Sequence, residues 1–392
     1  MNRSTAYPLA TTAEGVEKPA QTWCETVDLA AVPDRPWLAL AENALAPNPY
    51  YDPTWAKTAL QGARVTSGAR ALLAWQGEGR GRLIGLLPVV SAWQAVKLPL
   101  PIMYAWQGYG PLSMPLIDRR FAPEAWRKLC AAAVADGARA IVLPYAEMGS
   151  ELLSVIDPSG EAVSNPLRQY TRAQLDARQS LDAAIGATSM RTLQRSRRRL
   201  EQQGNVQLRV ARQPHEIRAA LEAFLQLEQQ GWKAQKGTAL AQHAGDAAFI
   251  RKAAPEMAAR GALDILTLYV GERPIASGIV VRQGRLASWF KIGFDQAMAK
   301  FSPGLQLALE VTRHYCADPI VEAVDSNTEA DSSFVDPLWK DRVTMGRLLI
   351  PTRAADPVVP MLRGVLDARE AGRNQLRRLR DRLRGGKAAK AS

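Results

Sequence analysis

"FKIGFDQAMAKFSPGLQLALE", residues 290–310, starts as the end of a strand and finishes as the start of a helix, and the turn between them, Ser302-Pro303-Gly304, carries almost no bulk. Small, constrained residues at such a junction make sense if something negative must approach the first turn of the helix. Pro303 has no amide hydrogen to leave orphaned and presets its own φ. Gly304 removes the side chain that would keep a ligand off the backbone, and Ser302 can cap the helix or donate to a phosphate oxygen. The free N–H groups and the positive helix end then form an anion site, to which Lys291 and Lys300 add charge. The same three residues also read as a plain helix start after a loop, since Ser-Pro-Gly is a common turn. Neither G-x-x-x-x-G-K-[ST] nor G-x-G-x-x-G occurs, so nucleotide triphosphate and dinucleotide folds lose support.

Upstream of that turn, "LDILTLYV" (263–270), "IASGIVVRQG" (275–284) and "RLASWFKIGF" (285–294) read as three strands in series, joined by GERP and by Gln283-Gly284. Downstream, Leu305, Leu309 and Thr312 or Arg313 recur at helical spacing over 304–316, and "IVEAVDS" (320–326) reads as a further strand. The same order appears earlier in "ARALLAWQ" (69–76), "RLIGLLPVVSAW" (82–93), "IMYAWQGYG" (102–110), a helix over 123–137 and the strand "ARAIVLPY" (138–145). Strand, turn, strand, strand, loop, helix, strand thus occurs twice at a spacing of roughly 190 residues, a repeat of elements with little repeat of sequence. Between the two runs, residues 180–204 read as a helix or helical pair with Arg191, Arg195 and Arg198 or Arg199 on one side. After the strand "VQLRVA", a second helix occupies 213–232, where Pro214 suits the first turn and Glu216 the positive end of the dipole.

The chain has 392 residues, 47% of them apolar, enough for one large core or two ordinary ones. Cys24, Cys130 and Cys316 lie far apart, which argues against a disulfide framework or a structural zinc site and for a reducing compartment. Residues 1–20 show no apolar run of the secretory kind and read as a disordered N-terminus. No stretch approaches the roughly 20 apolar residues of a membrane span, so the expectation is a soluble cytoplasmic protein. Net charge is +12, and residues 361–392 carry ten Lys or Arg against three acidic side chains, so +7 of the total lies in the tail. Such a tail attracts phosphates of any kind and does not choose among them. Pro360, Gly385-Gly386 and the spacing of Leu362, Val365, Leu366, Leu376, Leu379 and Leu383 make it an amphipathic helix, whose first part docks on the body.

Four segments carry a family resemblance: "LEQQGWKAQKGTAL" (227–240), "LYVGERPIASGIVVRQG", "WFKIGFDQAMAKFSPGLQLALE" and "VDSNTEADSSFVDPLWKDR" (324–342). Together they resemble the CelD/BcsL-type acetyltransferases, a branch of the GNAT superfamily associated with polysaccharide production and related to the FemABX peptidyltransferases. The resemblance is specific over about 180–350 and looser over 45–180. It implies an α/β (α+β) fold of tandem GNAT-like acyltransferase domains with mixed central sheets: a degenerate first domain over 21–179, an acyl-CoA-binding domain over 180–352 and a basic helical tail over 353–392. It also implies that the strand before the long helix splays from its neighbour, that the pantetheine arm of acetyl-CoA or another acyl-CoA lies in the gap, and that the pyrophosphate sits on the helix start. Carried onto this chain, that implicates Lys291, Gly293, Phe301, Ser302, Gly304 and Leu305. The family's Gln/Arg-x-x-Gly-x-Gly/Ala loop is absent, so the assignment rests on position. In the first domain the glycines of "GYGPLSMPLIDRRFAPEAW" lie too far from their helix to cradle a phosphate in the same way.

Acyl transfer to an amine or hydroxyl needs a group or water chain to take the proton and a donor for the oxyanion. Asp325 closes the strand "IVEAVD", and Asn327 and Glu329 follow in the loop, facing a cleft if they are catalytic and forming a turn if they are not. Trp232 and Lys233, continued by Lys236, line the acceptor side in the resembling family; Trp232 could equally pack on the sheet. His314 lies about two and a half turns into the helix and suits a core or surface role better than a base, and His215 and His243 have no partner at ligand spacing. No metal is expected. The acceptor is a small molecule, a sugar or an amine. The arginine row is a solvated face, a contact with an acidic acceptor, or an RNA-binding face; the last gives the alternative of a tRNA-dependent Fem-like transferase. A third reading is a non-catalytic scaffold in an envelope-polysaccharide assembly, held weakly at an anionic membrane by the tail. DNA is not among the expected partners.

Overall fold

A computed structural model of the chain describes residues 21–388 apart from 63, 186, 232–235 and 329–334. Its strands are β1 (Thr22–Asp28), β2 (Arg70–Gln76), β3 (Arg82–Ser91), β4 (Ile102–Ala105), β5 (Leu116–Ile117), β6 (Ala140–Glu147), β7 (Arg168–Asp176), β8 (Val206–Ala211), β9 (Leu263–Val270), β10 (Arg273–Gln283), β11 (Leu286–Phe294), β12 (Ala323–Asp325) and β13 (Arg342–Pro351). Helices of seven residues or more are α1 (Asp34–Glu42), α2 (Pro53–Ala59), α3 (Ala122–Ala135), α4 (Ala187–Glu201), α5 (Pro214–Gln230), α6 (Ala244–Ala258), α7 (Pro303–Cys316) and α8 (Val359–Ala388).

The strands form one mixed sheet in the order β1-β2-β3-β4-β6-β13-β7-β12-β11-β10-β9-β8, with β5 added beside β3. Pairing is antiparallel except at β4–β6 and β11–β12, so the order reads the same from either end. The repeat of elements seen in the sequence is therefore a repeat in space, related by a pseudo-twofold between β13 and β7. One strand of each half is exchanged. β7 follows β6 in the chain but pairs with β12, β13 follows β12 but pairs with β6, and the two pair with each other from Arg342↔Ala173 to Arg347↔Arg168. Segments 21–179 and 180–352 are thus stitched into a single sheet.

Local chemistry sets the elements. Glu216 Oε2 accepts from Arg212 N and Gln213 N at 3.0 Å at the start of α5, ahead of Pro214 in its first turn. The strand expected over 320–326 is shorter, because Asp318 Oδ1 accepts from Ile320 N at 2.9 Å and holds a turn until β12 begins at Ala323. The helical stretch expected over 180–204 is a short turn, Leu181–Ala184, followed by α4. Helices α5 and α6 cover one sheet face, where Ile217, Leu221 and Phe224 meet Ile265 and Ile279. On the other, α7 packs Leu307, Ala308, Val311 and Tyr315 against Leu266, Leu268, Val280 and Trp289. Trp55 of α2 stands edge-on to Phe249 of α6 (4.9 Å) and Phe290 of β11 (4.8 Å), so the halves share a core. In α8, Leu362 and Leu366 dock on the body, whereas Val365, expected with them, is exposed together with Met361.

Candidate active site

β11 and β12 run parallel for three residues, Leu286↔Ala323, Ala287↔Val324 and Ser288↔Asp325, and then part. β11 continues to Phe294, while the chain leaves β12 with Ser326 N donating to Ala173 O at 3.2 Å. On its other side β11 bulges, because Ile279 faces Lys291 and Val280 faces Trp289, leaving Phe290 as the extra residue. From Trp289 onward β11 therefore runs without β12 beside it, its ladder to that strand ending at Ser288↔Asp325. A 3-10 turn, Gln296–Phe301, leads from this edge to α7. Ser302 is exposed, has φ +53°, and makes no side-chain capping bond. The first intrahelical bond runs from Gln306 N to Ser302 O at 3.0 Å, so the Gly304 and Leu305 amides precede it, both half-buried. Helix α4 braces this helix start: Ser196 Oγ donates to Phe301 O at 2.7 Å, Gln306 Nε2 to Leu193 O at 2.9 Å, and Arg197 pairs with Glu310 at 2.9 Å. Arg199 and Lys300 lie over the Phe301 ring, 5.7 and 5.1 Å from its centroid, with their charges exposed beside the same turn. A strand that has parted from its parallel neighbour, two uncapped amides and two cations in sequence fit an extended ligand with an anionic end.

The first half closes the corresponding gap. β4 and β6 pair from Ile102↔Ala140 to Tyr104↔Val142, after which Pro144 removes an amide from β6. Ser113 then stitches the opening, its N donating to Tyr145 O at 2.9 Å and its Oγ accepting from Tyr145 N at 2.8 Å.

Where β11 and β12 part, a polar cluster is buried beneath the first half. Arg172 of β7 donates through Nη2 to Asp325 Oδ2 and through Nη1 to Pro111 O at 3.0 Å; Asp325 Oδ1 accepts from Asn327 N at 3.0 Å. Asn327 Nδ2 donates to the hydroxyl of Tyr50, which burial and then the Asp325 charge keep well above the usual phenol range. Glu147, at the end of β6, faces the same charges with its carboxyl raised, first by burial and then by Asp325. No hydrogen bond holds that carboxyl among the described residues. The Nε of Arg172 and Oδ1 of Asn327 are buried without partners.

The residues read from the sequence fall into separate groups. Phe301, Ser302, Gly304 and Leu305 share the start of α7. Lys291 and Gly293 do not join them: they face α5, on the opposite side of the sheet. Lys291 Nζ binds Glu228 Oε1 at 2.8 Å and Thr238 O at 2.9 Å, so its charge serves the packing of α5. A Cβ on Gly293 would sit 2.9 Å from Glu228 N, which accounts for the glycine without a ligand. Asp325 and Asn327 are at the parting of the strands, but both oxygens of Asp325 are engaged, so it orients Arg172 and the loop instead of presenting a free base. Lys236 is exposed; Trp232, Lys233 and Glu329 lie outside the described residues. His314 accepts from Arg212 at 2.8 Å, remote from the α7 start. Tyr50, Arg172 and Glu147 were not legible: each is aimed into the cluster by contacts far along the chain, and the tyrosine pair in "NPYYDP" is the one local hint.

Comparison with known proteins finds a similarity over part of the second half. Residues 187–332 match the family model of the acetyltransferase (GNAT) domain. The GNAT match contains the β11 edge, the α7 start and Asp325. Among solved structures, FemX has a TM-score of 0.53 at 12% identity, covering 86% of this chain and 100% of that one. L-PGS from Bacillus licheniformis gives 0.42 at 14% identity, covering 72% and 86%. A tandem GNAT protein from the clavulanic acid biosynthesis pathway gives 0.37 at 14% identity, covering 85% and 100%. The FemX likeness shows the fold, a mixed α/β architecture with two similarly built halves on one mixed sheet. No curated protein matches the sequence. Among the described residues no group of three or more His, Cys, Asp or Glu is placed to hold a metal, and no helix is long and apolar enough to cross a membrane.

Proposed function

We propose that this chain is an acyl-CoA-dependent N- or O-acyltransferase of the CelD/BcsL type, acting in the cytoplasm on a sugar or amine acceptor in polysaccharide or cell-envelope biosynthesis. The observation that carries the reading is the parting of β11 from β12 at Ser288 and Asp325, with the uncapped start of α7 following the end of β11. Acyl-CoA would supply an activated thioester. The Gly304 and Leu305 amides, with Arg199 and Lys300, would hold its pyrophosphate, and the β11 backbone beyond Ser288 would line its arm. Glu147 is the carboxyl in the cluster with no hydrogen bond to satisfy it, and its raised pKa suits a base that takes a proton from the attacking amine or hydroxyl. Asp325 and Arg172 position the loop that carries Asn327, and Trp232, Lys233 and Lys236 belong on the acceptor side.

Calorimetric titration with coenzyme A tests this. The wild type should bind with one site per chain, and Gly304→Trp should weaken binding at least tenfold by covering the amides. A second reading, an aminoacyl-tRNA-dependent transferase, is favoured by the exposed Arg191, Arg195, Arg198 and Arg199 on α4 beside the same helix start. It is second because α4 is followed directly by β8, so the described residues form no long helical arm there. An intact chain that binds no coenzyme A would leave this reading or the scaffold.

A further inference from the structure

The closed gap of the first half has an opening on its other side. A cleft of about 210 Å³ lies where β4 and β6 diverge, with Tyr104, Trp106 and Gln107 on one wall, Pro144 and Tyr145 on the other, and α8 as its roof. It is separate from the β11–β12 gap: β6, β13, β7 and β12 intervene, three strand spacings or roughly 14 Å.

Its walls are aromatic, and the buried unpartnered polar atom on its lining is a donor. Gln107 Nε2 is buried without a partner. Tyr104 is held as a phenol, since burial lifts it above the usual range against the opposing pull of Arg347 and Arg369. From the roof, Arg369 makes one long bond, to Val96 O at 3.4 Å, and Arg373 is exposed. Of the two acidic residues on the lining, Glu370 is taken up by Arg347 at 3.2 Å and Asp367 is exposed. An unmatched buried donor such as Gln107 Nε2 costs free energy until an acceptor arrives, and the volume is below the range of drug-sized pockets, suiting one ring and one substituent.

We propose that the first half holds a ligand of its own in this cleft: a small ring-bearing anion, its ring between Trp106 and Tyr145 and its phosphate or carboxylate under Arg369 and Arg373. The inference stands apart from acyl-CoA binding, because none of these residues belongs to the α7 site. It also gives α8 a role, as the element that completes the site.

Titration of the full chain, with and without saturating coenzyme A, tests it with phenyl phosphate and benzoate as probes and inorganic phosphate and benzyl alcohol as halves of the probe. At least one ring-bearing anion should bind tenfold or more tightly than either half. Arg373→Glu, an exposed change that leaves folding intact, should weaken it at least fivefold, and Gln107→Leu by a smaller factor, with Gly304→Trp without effect. Phenyl phosphate and benzoate no tighter than inorganic phosphate, binding unchanged in Arg373→Glu, or binding abolished by Gly304→Trp would overturn the proposal.

Discussion

Arg172 and Asp325 form an ion pair whose side chains are 0% and 6% exposed, joining the strand that the first half sends across to the strand where the second half opens. The pair therefore fastens the exchanged strand β7 at the point where β11 diverges. Removing one partner of a buried pair strands the other, at a cost of about 3–5 kcal/mol. Asp325→Asn should accordingly lower the urea midpoint sharply, with much of the loss recovered in Arg172→Met/Asp325→Asn. Glu147→Gln should behave in the opposite way, leaving stability nearly unchanged while turnover drops by roughly 10²-fold or more, as for loss of a general base. Urea curves for the three variants and the wild type, beside thioester consumption, separate the roles; a stable but inactive Asp325→Asn would return that residue to the chemistry.

Gly293 tests the reading of the β11 face. A side chain there meets the backbone of α5 at Glu228 N and Cα, at 2.9 and 3.2 Å, and backbone gives less readily than a flexible side chain. Gly293→Val should destabilise by about 1–3 kcal/mol, the usual cost of overpacking. Thermal melting shows it; a wild-type melting temperature would mean that the strand and α5 are farther apart than described.

His314 sets a pH dependence. Burial, and then the Arg212 guanidinium, hold its pKa below the ordinary imidazole value of 6.5, with Arg282, Asp264 and Asp318 also facing it. A group whose folded pKa is depressed contributes stability that is complete above its unfolded pKa and is lost as pH falls through the folded one. Stability should therefore decline as pH drops below about 6.5. His314→Gln should flatten that slope in denaturant titrations between pH 7 and 5; an unchanged slope would assign the acid loss to other groups.

Much of the second half was legible because its signals are local. β9, β10 and β11 are bounded by turn residues, and α7 begins at a proline and a glycine in sequence as in space. β7 and β13 were not, since "RQYTRAQLD" alternates charge with apolar residues and is completed as a strand by partners more than 140 residues away. No local pattern announces that exchange. The site was half legible for the same reason: the α7 start is written in three consecutive residues, whereas Tyr50, Glu147 and Arg172 meet Asp325 through tertiary packing. Lys291 was misplaced because a strand bulge moves it to the α5 face, which period-two counting does not foresee.

The tail gives a prediction with a salt dependence. Leu362 and Leu366 dock α8, and the net charge of the last residues favours an anionic surface. Full-length chain should sediment weakly with vesicles containing phosphatidylserine at low salt and less at physiological salt, while a chain lacking 373–392 should not sediment and should still bind coenzyme A. Equal sedimentation of both forms would remove the tail from any membrane contact.

The central claim, that acyl-CoA lies along β11 beyond Ser288 with its pyrophosphate on α7, is tested most directly by amide hydrogen exchange followed by mass spectrometry, with and without coenzyme A. The account predicts slowed exchange in peptides covering 289–294 and 303–307, and none in those covering 102–107 and 140–147. Protection confined to the first-half peptides, or absent from 303–307 at saturating coenzyme A, would contradict it.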